Sequence, residues 1–196
     1  VIERLESFNE YRQTISKFID DEILLQSGFS EEISSLVPKV SFQILNGELV
    51  PGKELVILCG GFGTAPEGWI EMALLYKNRA DVNVMVVDWS ELNGKYGSGQ
   101  APFNYLTAQN NTLQVARALD GWLQQRGISK DSVTWVGHSL GAHIGGAVGG
   151  FKDIIALDPA GPGYDEPLLG QHITDIGQRL DKSDATSVFV ISSDPV

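Results

Sequence analysis

Apolar positions along the chain fall into two regimes. Up to about Gln26 they recur at Leu5, Phe8, Tyr11, Ile15, Phe18 and Ile19, with charged residues between them. That spacing predicts an amphipathic helix or helical arm, because residues three and four apart share one helix face. A lid or partner-binding role for the arm stands beside a plainer one, packing of the stripe on a core. Gly28 to Lys39 reads as a connector in which Pro38 limits helix formation. From Val40 onward, short apolar runs alternate with longer periodic stretches. Val40 to Leu45 and Glu54 to Cys59 predict strands joined across Asn46-Gly47, with Pro51-Gly52 as a further turn signal. Pro66 opens a helix to about Lys77, at a first-turn position where its missing N–H matters little. Val82 to Val87 reads as a strand, Gly94 to Gly99 as a loop, and Asn104 to Gln125 as a long helix ended by Gly127. Ser132 to Val136 predicts a buried strand, Ala142 to Ala147 a helix of small residues, and Lys152 to Leu157 and Thr186 to Ile191 two further strands. Strands interleaved with helices make the fold class α/β, a mostly parallel central sheet with helices on both faces.

Gly137-His138-Ser139-Leu140-Gly141 lies between the buried strand and the small-residue helix. The pentapeptide alone could be a glycine-rich turn, since short motifs recur by chance. Strand, sharp turn and helix are the context in which G-x-S-x-G lifts a serine hydroxyl clear of the backbone at a helix N-terminus.

Composition narrows the classes. At 196 residues the chain can bury a substantial core in one domain. The organisation read here is an arm and connector over 1–39 and a core over 40–196. No uninterrupted apolar stretch approaches a membrane span. The net charge of −11 argues against nucleic acid and against an anionic membrane surface as partners. Cys59 is the only cysteine, so no intramolecular disulfide can form, and within its apolar run it reads as a buried structural thiol. No signal peptide is visible, and the first residue is Val1 rather than Met, which leaves secretion open.

Serine is a weak nucleophile, so Ser139 needs a base, and the base needs an orienting acid. Asp158 ends the run Ile154-Ile155-Ala156-Leu157 and enters Pro159-Ala160-Gly161-Pro162, the kind of strand end where ligands and catalytic groups gather in a parallel sheet. Its plain alternative is an Asp that stabilises a turn before Pro. Acyl transfer also needs donors for a developing oxyanion. One is the backbone N–H of Leu140, and a second comes from the Gly60-Gly61-Phe62-Gly63 loop after an earlier strand. A phosphate cradle is the alternative for that loop, but the chain has no G-x-x-x-x-G-K-[ST] sequence.

Three runs carry a resemblance: Gly137-His138-Ser139-Leu140-Gly141-Ala142-His143, Ile155-Ala156-Leu157-Asp158-Pro159-Ala160-Gly161-Pro162, and Arg179-Leu180-Asp181-Lys182-Ser183-Asp184-Ala185. With Val87-Asp88-Trp89 and the Gly61-Phe62 loop followed by Trp69, they resemble the pancreatic lipase family, in family order from about Glu54 to Asp194. The resemblance implies an α/β-hydrolase fold and a secreted hydrolase of lipid esters, triacylglycerol lipase or phospholipase A1-like. It implies Ser139 as nucleophile, Asp158 as acid, and the N–H groups of Phe62 and Leu140 as oxyanion donors. It also implies a structural calcium ion held by the side chains of Asp181 and Asp184 and the carbonyls of Ile176 and Arg179. Acidic side chains plus carbonyls suit a hard cation, and a charged surface loop is the alternative. The chemistry itself requires no cofactor.

The sequence departs from the family at several points. Gly60 stands where the family usually has His, and Ser192-Ser193-Asp194 replaces a His-Thr-Asp-like run. The single cysteine is unlike the disulfide-rich animal members and points to a bacterial-type or truncated one. The family's catalytic His follows a lid beyond this region, so the core reads as truncated before both. His138 reads as packing beside the elbow and His143, one helical turn past Ser139, as packing or hydrogen bonding. His172 keeps the Ser…Asp…His order but precedes the last strand, a poor position for the base. Two functions follow: a serine ester hydrolase with a lipid ester substrate, or a catalytically incomplete lipase-fold protein that binds lipid or a protein partner without turnover. The N-terminal helix is the candidate surface for a protein partner.

Overall fold

A computed structural model describes residues 29–76, 79–94, 101–165, 168 and 178–193. The expected arm helix before Gln26, His172 and Ile176 lie outside the described residues. Strand β1 is Ser30–Ile33, β2 Ser41–Ile44, β3 Glu54–Cys59, β4 Val82–Asp88, β5 Val133–His138, β6 Phe151–Leu157 and β7 Ala185–Ile191. They form one seven-stranded sheet in the order β1-β2-β4-β3-β5-β6-β7. The pairs from β4 through β3, β5, β6 and β7 are parallel, and β1–β2 and β2–β4 are antiparallel.

Because side chains alternate along a strand, each central strand feeds two cores. Leu55, Ile57 and Cys59 of β3 point into one, with Met85, Val87, Trp135 and Ile154. Helix α2, Ala101–Gln125, and helix α3, Leu140–Val148, close that face with Leu119, Leu123, Leu140 and Ile144. Val56 and Leu58 point the other way, with Val84, Val86 and Val136. Helix α1, Glu67–Leu75, covers them through Ala73 and the partly buried Met72. The α/β reading with helices on both faces is therefore what the chain adopts. Helix α2 ends at the predicted glycine: Gly127, at φ +63°, lets its own N–H reach the Gln124 carbonyl at 3.0 Å. The next N–H, of Ile128, reaches the Leu123 carbonyl at 3.0 Å.

Two local expectations are corrected. The connector over Gly28 to Lys39 contains β1, a strand with no apolar alternation to announce it. It is held instead by pairing with β2, by Ser41 Oγ donating to Glu31 at 2.6 Å, and by Trp122 Nε1 donating to Glu32 at 2.9 Å. The Asn46-Gly47 turn exists, with φ of +67° and +80°, but it does not fold β2 onto β3. Strand β2 pairs with β4, so the chain passes the start of β4, where Val50 bonds to Asn83, before entering β3.

The sheet's two outer strands differ. Strand β1 carries Glu31 and Glu32, whereas β7 reads Ala-Thr-Ser-Val-Phe-Val-Ile with Phe189, Val190 and Ile191 exposed. Strand β3 sends the chain by way of α1 to β4 on one side, while β5 lies on its other side. A crevice therefore opens beyond the carboxyl ends of β3 and β5, where ligands bind in open α/β sheets.

Candidate active site

Ser139 sits at this crevice, between the last residue of β5 and the first of α3, with φ +54° and ψ −121°. A non-glycine residue rarely adopts this conformation, which costs of order 1–3 kcal/mol and persists only where the surroundings impose it. The imposing contacts are backbone. Ser139 N–H donates to the Leu157 carbonyl of β6 at 3.0 Å, and its own carbonyl accepts from Ala142 N–H at 3.2 Å. Below the turn, the buried Trp135 indole donates to the Gly141 carbonyl at 3.0 Å. A Cβ on Gly141 would lie 2.5 Å from the Cys59 carbonyl oxygen and 2.7 Å from that of Gly60. Helix α3 thus meets β3 backbone to backbone.

The loop after β3 lies directly on Ser139. A Cβ on Gly61 would be 2.6 Å from the Ser139 Cβ and 3.0 Å from its Oγ. The loop is tied from the segment after β4: Trp89 Nε1 donates to the Gly60 carbonyl at 3.0 Å, and Gly63 N–H to the Asn93 carbonyl at 3.0 Å. Thr64 Oγ1 closes it by donating to the Gly61 carbonyl at 2.8 Å. Phe62 is buried, its ring edge-on to Tyr105 at 5.4 Å. Leu140 is the first residue of α3, where a backbone N–H has no acceptor within the helix. The two expected oxyanion residues thus flank Ser139 from the elbow and from the β3 loop.

Asp158 stands at the same end of the sheet. Parallel β5 and β6 align His138 with Leu157, so Ser139 and Asp158 are the next residues on neighbouring strands. Asp158 also has positive φ, +42°. Its N–H donates to the Ile191 carbonyl at 2.7 Å, and its Oδ1 accepts from the Ser193 N–H. Those Ser193 bonds hold the carboxyl below the usual carboxylate range, and the nearby His138 imidazole adds to the effect.

The histidines take distinct places. His138 lies on the α1 side, its ring centroid 6.4 Å from that of Trp69. His143 is buried in α3 with both ring nitrogens engaged by backbone: Nε2 meets the Ala160 carbonyl at 2.9 Å, and Nδ1 accepts from Leu180 N–H at 3.1 Å. Burial pushes its pKa down to about 4. An imidazole so occupied cannot reach a serine proton. Sequence reasoning left open what His143 binds, because its partners lie 17 and 37 residues away.

Of the expected calcium residues, Asp181 and Asp184 meet: Asp184 Oδ2 accepts from Asp181 N–H at 2.6 Å, and Asp181 Oδ1 accepts from Ser183 N–H at 3.0 Å. Burial raises the Asp184 pKa, and the Asp181 charge raises it further. The Arg179 side chain turns away to an ion pair with Asp165. Among the described residues, no three His, Cys, Asp or Glu side chains gather into a metal cluster. No helix among them is long and apolar enough to cross a membrane.

The family model described as Lipase matches residues 4–195. The chain belongs to the lipase family. The lipase-family chain is 38% identical over 157 residues to phospholipase A1 member A of Bos taurus, covering 73% of this chain and 30% of that protein. It is 37% identical over 169 residues to lipase member H of Oryctolagus cuniculus, covering 78% of this chain and 34% of that protein. It thus spans about a third of the length of these relatives. Among solved structures, Thermogutta terrifontis esterase 2 phosphorylated by paraoxon superposes with a TM-score of 0.51 at 11% identity, over 76% of this chain and 64% of that one. At that identity the likeness speaks to the fold, which is that of an α/β-hydrolase.

Proposed function

We propose that this lipase-family chain carries the nucleophile, acid and oxyanion site of a serine hydrolase acting on lipid esters, triacylglycerol lipase or phospholipase A1-like. The observation that carries the reading is the elbow: Ser139 held at positive φ on the strand end beside Asp158. In the reaction, Ser139 Oγ attacks the ester carbonyl carbon while a histidine base takes its proton. The carbonyl oxygen gathers negative charge facing the N–H groups of Phe62 and Leu140. The tetrahedral centre collapses, the alcohol leaves with the proton from the histidine, and an acyl group stays on Ser139. Water then repeats the sequence and frees the acid. Asp158, kept ionised by Ser193, orients the base and stabilises its charged form. His143 is not that base, since both its nitrogens are bonded to backbone.

The binding-only reading is less well supported, because the relatives' names are those of enzymes and the elbow is intact. A calcium ion would suit the paired charge of Asp181 and Asp184, and the family resemblance implies the carbonyls of Arg179 and Ile176 as its further ligands. It would neutralise the loop before β7 and supply no chemistry. Secretion accords with the family resemblance.

The test is covalent. A fluorophosphonate probe should label the chain at Ser139, with labelling lost in Ser139→Ala and reduced in Asp158→Asn. Hydrolysis of a short soluble ester should follow the same order. Labelling that survives Ser139→Ala would overturn the reading.

A further inference from the structure

His143 lies outside the chemistry, yet it is where three parts of the site meet. It is the fourth residue after Ser139, so its place is fixed by the helix that begins at the elbow. Leu180 N–H donates to Nδ1, so Nδ1 carries no proton, and Nε2 must be the N–H that donates to Ala160. Ala160 is two residues past Asp158. Leu180 opens the segment that runs through β7 to Ser193, the residue that grips the Asp158 carboxyl. Tyr164, fully buried, stacks on the imidazole at 3.6 Å and 10°. Its own N–H donates to the Gly161 carbonyl at 2.9 Å, keeping the chain after Asp158 folded over the ring. A closed circuit results: Ser139, α3, His143, Ala160, Asp158, Ser193, β7, Leu180 and back to His143.

We infer that His143 is a positioning residue, whose two backbone hydrogen bonds fix Asp158 relative to Ser139, an inference that rests on the ester-hydrolase reading. The geometry is suited to it. One neutral tautomer donates to the loop just after Asp158 and accepts from the segment that leads into β7, and the ring cannot turn without breaking both bonds. Displacement of the Ala160 anchor moves Asp158 away from Ser193 and from the base it orients.

Two substitutions separate the bonds from the packing. His143→Phe keeps an aromatic ring against Tyr164 and loses both hydrogen bonds. His143→Gln keeps an acceptor and a donor and loses the ring. On a short soluble ester, His143→Phe should lower kcat about tenfold to hundredfold with KM unchanged, the signature of a misplaced catalytic group. His143→Gln should recover most of that loss. By carboxyl carbon NMR, the Asp158 pKa should rise by roughly half a unit or more in His143→Phe, toward its ordinary value, and return in His143→Gln. The NMR arm decides the inference even if the wild-type chain hydrolyses nothing, whereas the hydrolase reading itself stands or falls with the probe labelling of Ser139. If His143→Phe does not fold, imidazole nitrogen NMR of the wild type decides: a protonated Nε2 and bare Nδ1 at neutral pH support the inference, and the opposite tautomer overturns it. Equal damage from both substitutions, or an unchanged Asp158 titration in His143→Phe, would also overturn it.

Discussion

Around Ser139 the chain is held by close packing and main-chain hydrogen bonds, and around Asp158 by hydrogen bonds that include ionisable side chains. The elbow has backbone against backbone at Gly141, Gly61 pressed on the Ser139 side chain, and a buried tryptophan beneath. One strand away, Asp158 has an amide of Ser193 and a carbonyl of Ile191 as partners, with the two bonds of His143 holding the chain that follows it. Both residues have positive φ, so both conformations must be imposed. Steric imposition is indifferent to pH and ions. Imposition by hydrogen bonds to ionisable side chains is not. The pair therefore divides into a fixed half and a half that conditions can loosen.

The largest effect should come from breaking the steric half. Gly141→Ala places a methyl 2.5 Å from the Cys59 carbonyl oxygen, and neither backbone can retreat. The expected cost is at least ~3 kcal/mol, enough to leave the chain unfolded or insoluble, read by circular dichroism and denaturant titration. A soluble, folded Gly141→Ala chain would mean the helix–strand contact is looser than described.

The polar half should yield to acid. In the folded chain His143 resists protonation to about 4, against an ordinary 6.5. The unfolded chain binds that proton first, so stability should decline as pH falls from 6.5 toward 4. The full loss is up to about 3 kcal/mol. Asp158 adds a second, more acidic loss, because a depressed carboxyl stabilises the fold only while ionised. Urea midpoints at about pH 7 and about pH 4.5 should differ for wild type and much less for His143→Phe. Equal differences would remove His143 from the account.

Ser139→Gly sharpens the comparison from the other side. It should raise stability by about 1 kcal/mol, since glycine adopts the elbow without strain, while abolishing probe labelling. Ser139→Ala keeps a Cβ and should show no such gain. The smallest effect concerns the loop before β7. If calcium binds there, adding it should raise Tm by about 2–4 °C, and chelator should reverse the rise. Asp184→Asn should lose the calcium response without lowering Tm in chelator, because it also removes a charge that burial disfavours.

Sequence reading reached the steric half more easily than the polar one. The elbow was legible because strand, glycine-flanked serine and helix are contiguous, and the β6 run led straight to Asp158. Strand β1 was missed because Ser-Glu-Glu-Ile has no apolar face, its strand character coming from the neighbour that pairs with it. The β2–β4 pairing was hidden because a turn at Asn46-Gly47 gives the local reversal and not the strand met afterwards. The sequence points His143 to packing or hydrogen bonding without naming its partners, and shows Ser193 only as a departure from a family motif. Their roles are contacts across 17 to 37 residues that no local pattern encodes.

Strand β7 has a consequence for handling. Among the described residues it pairs on one side only, and its seven residues contain no charge and no proline. With both faces bare at Phe189 and Val190, its outer rim is a template for accretion of further strands, unlike the short, glutamate-bearing β1. Concentrated solutions of residues 1–196 taken alone should therefore cloud by intermolecular cross-β growth before the fold is lost. A lysine in place of Val190 should delay turbidity and thioflavin binding while leaving the elbow untouched.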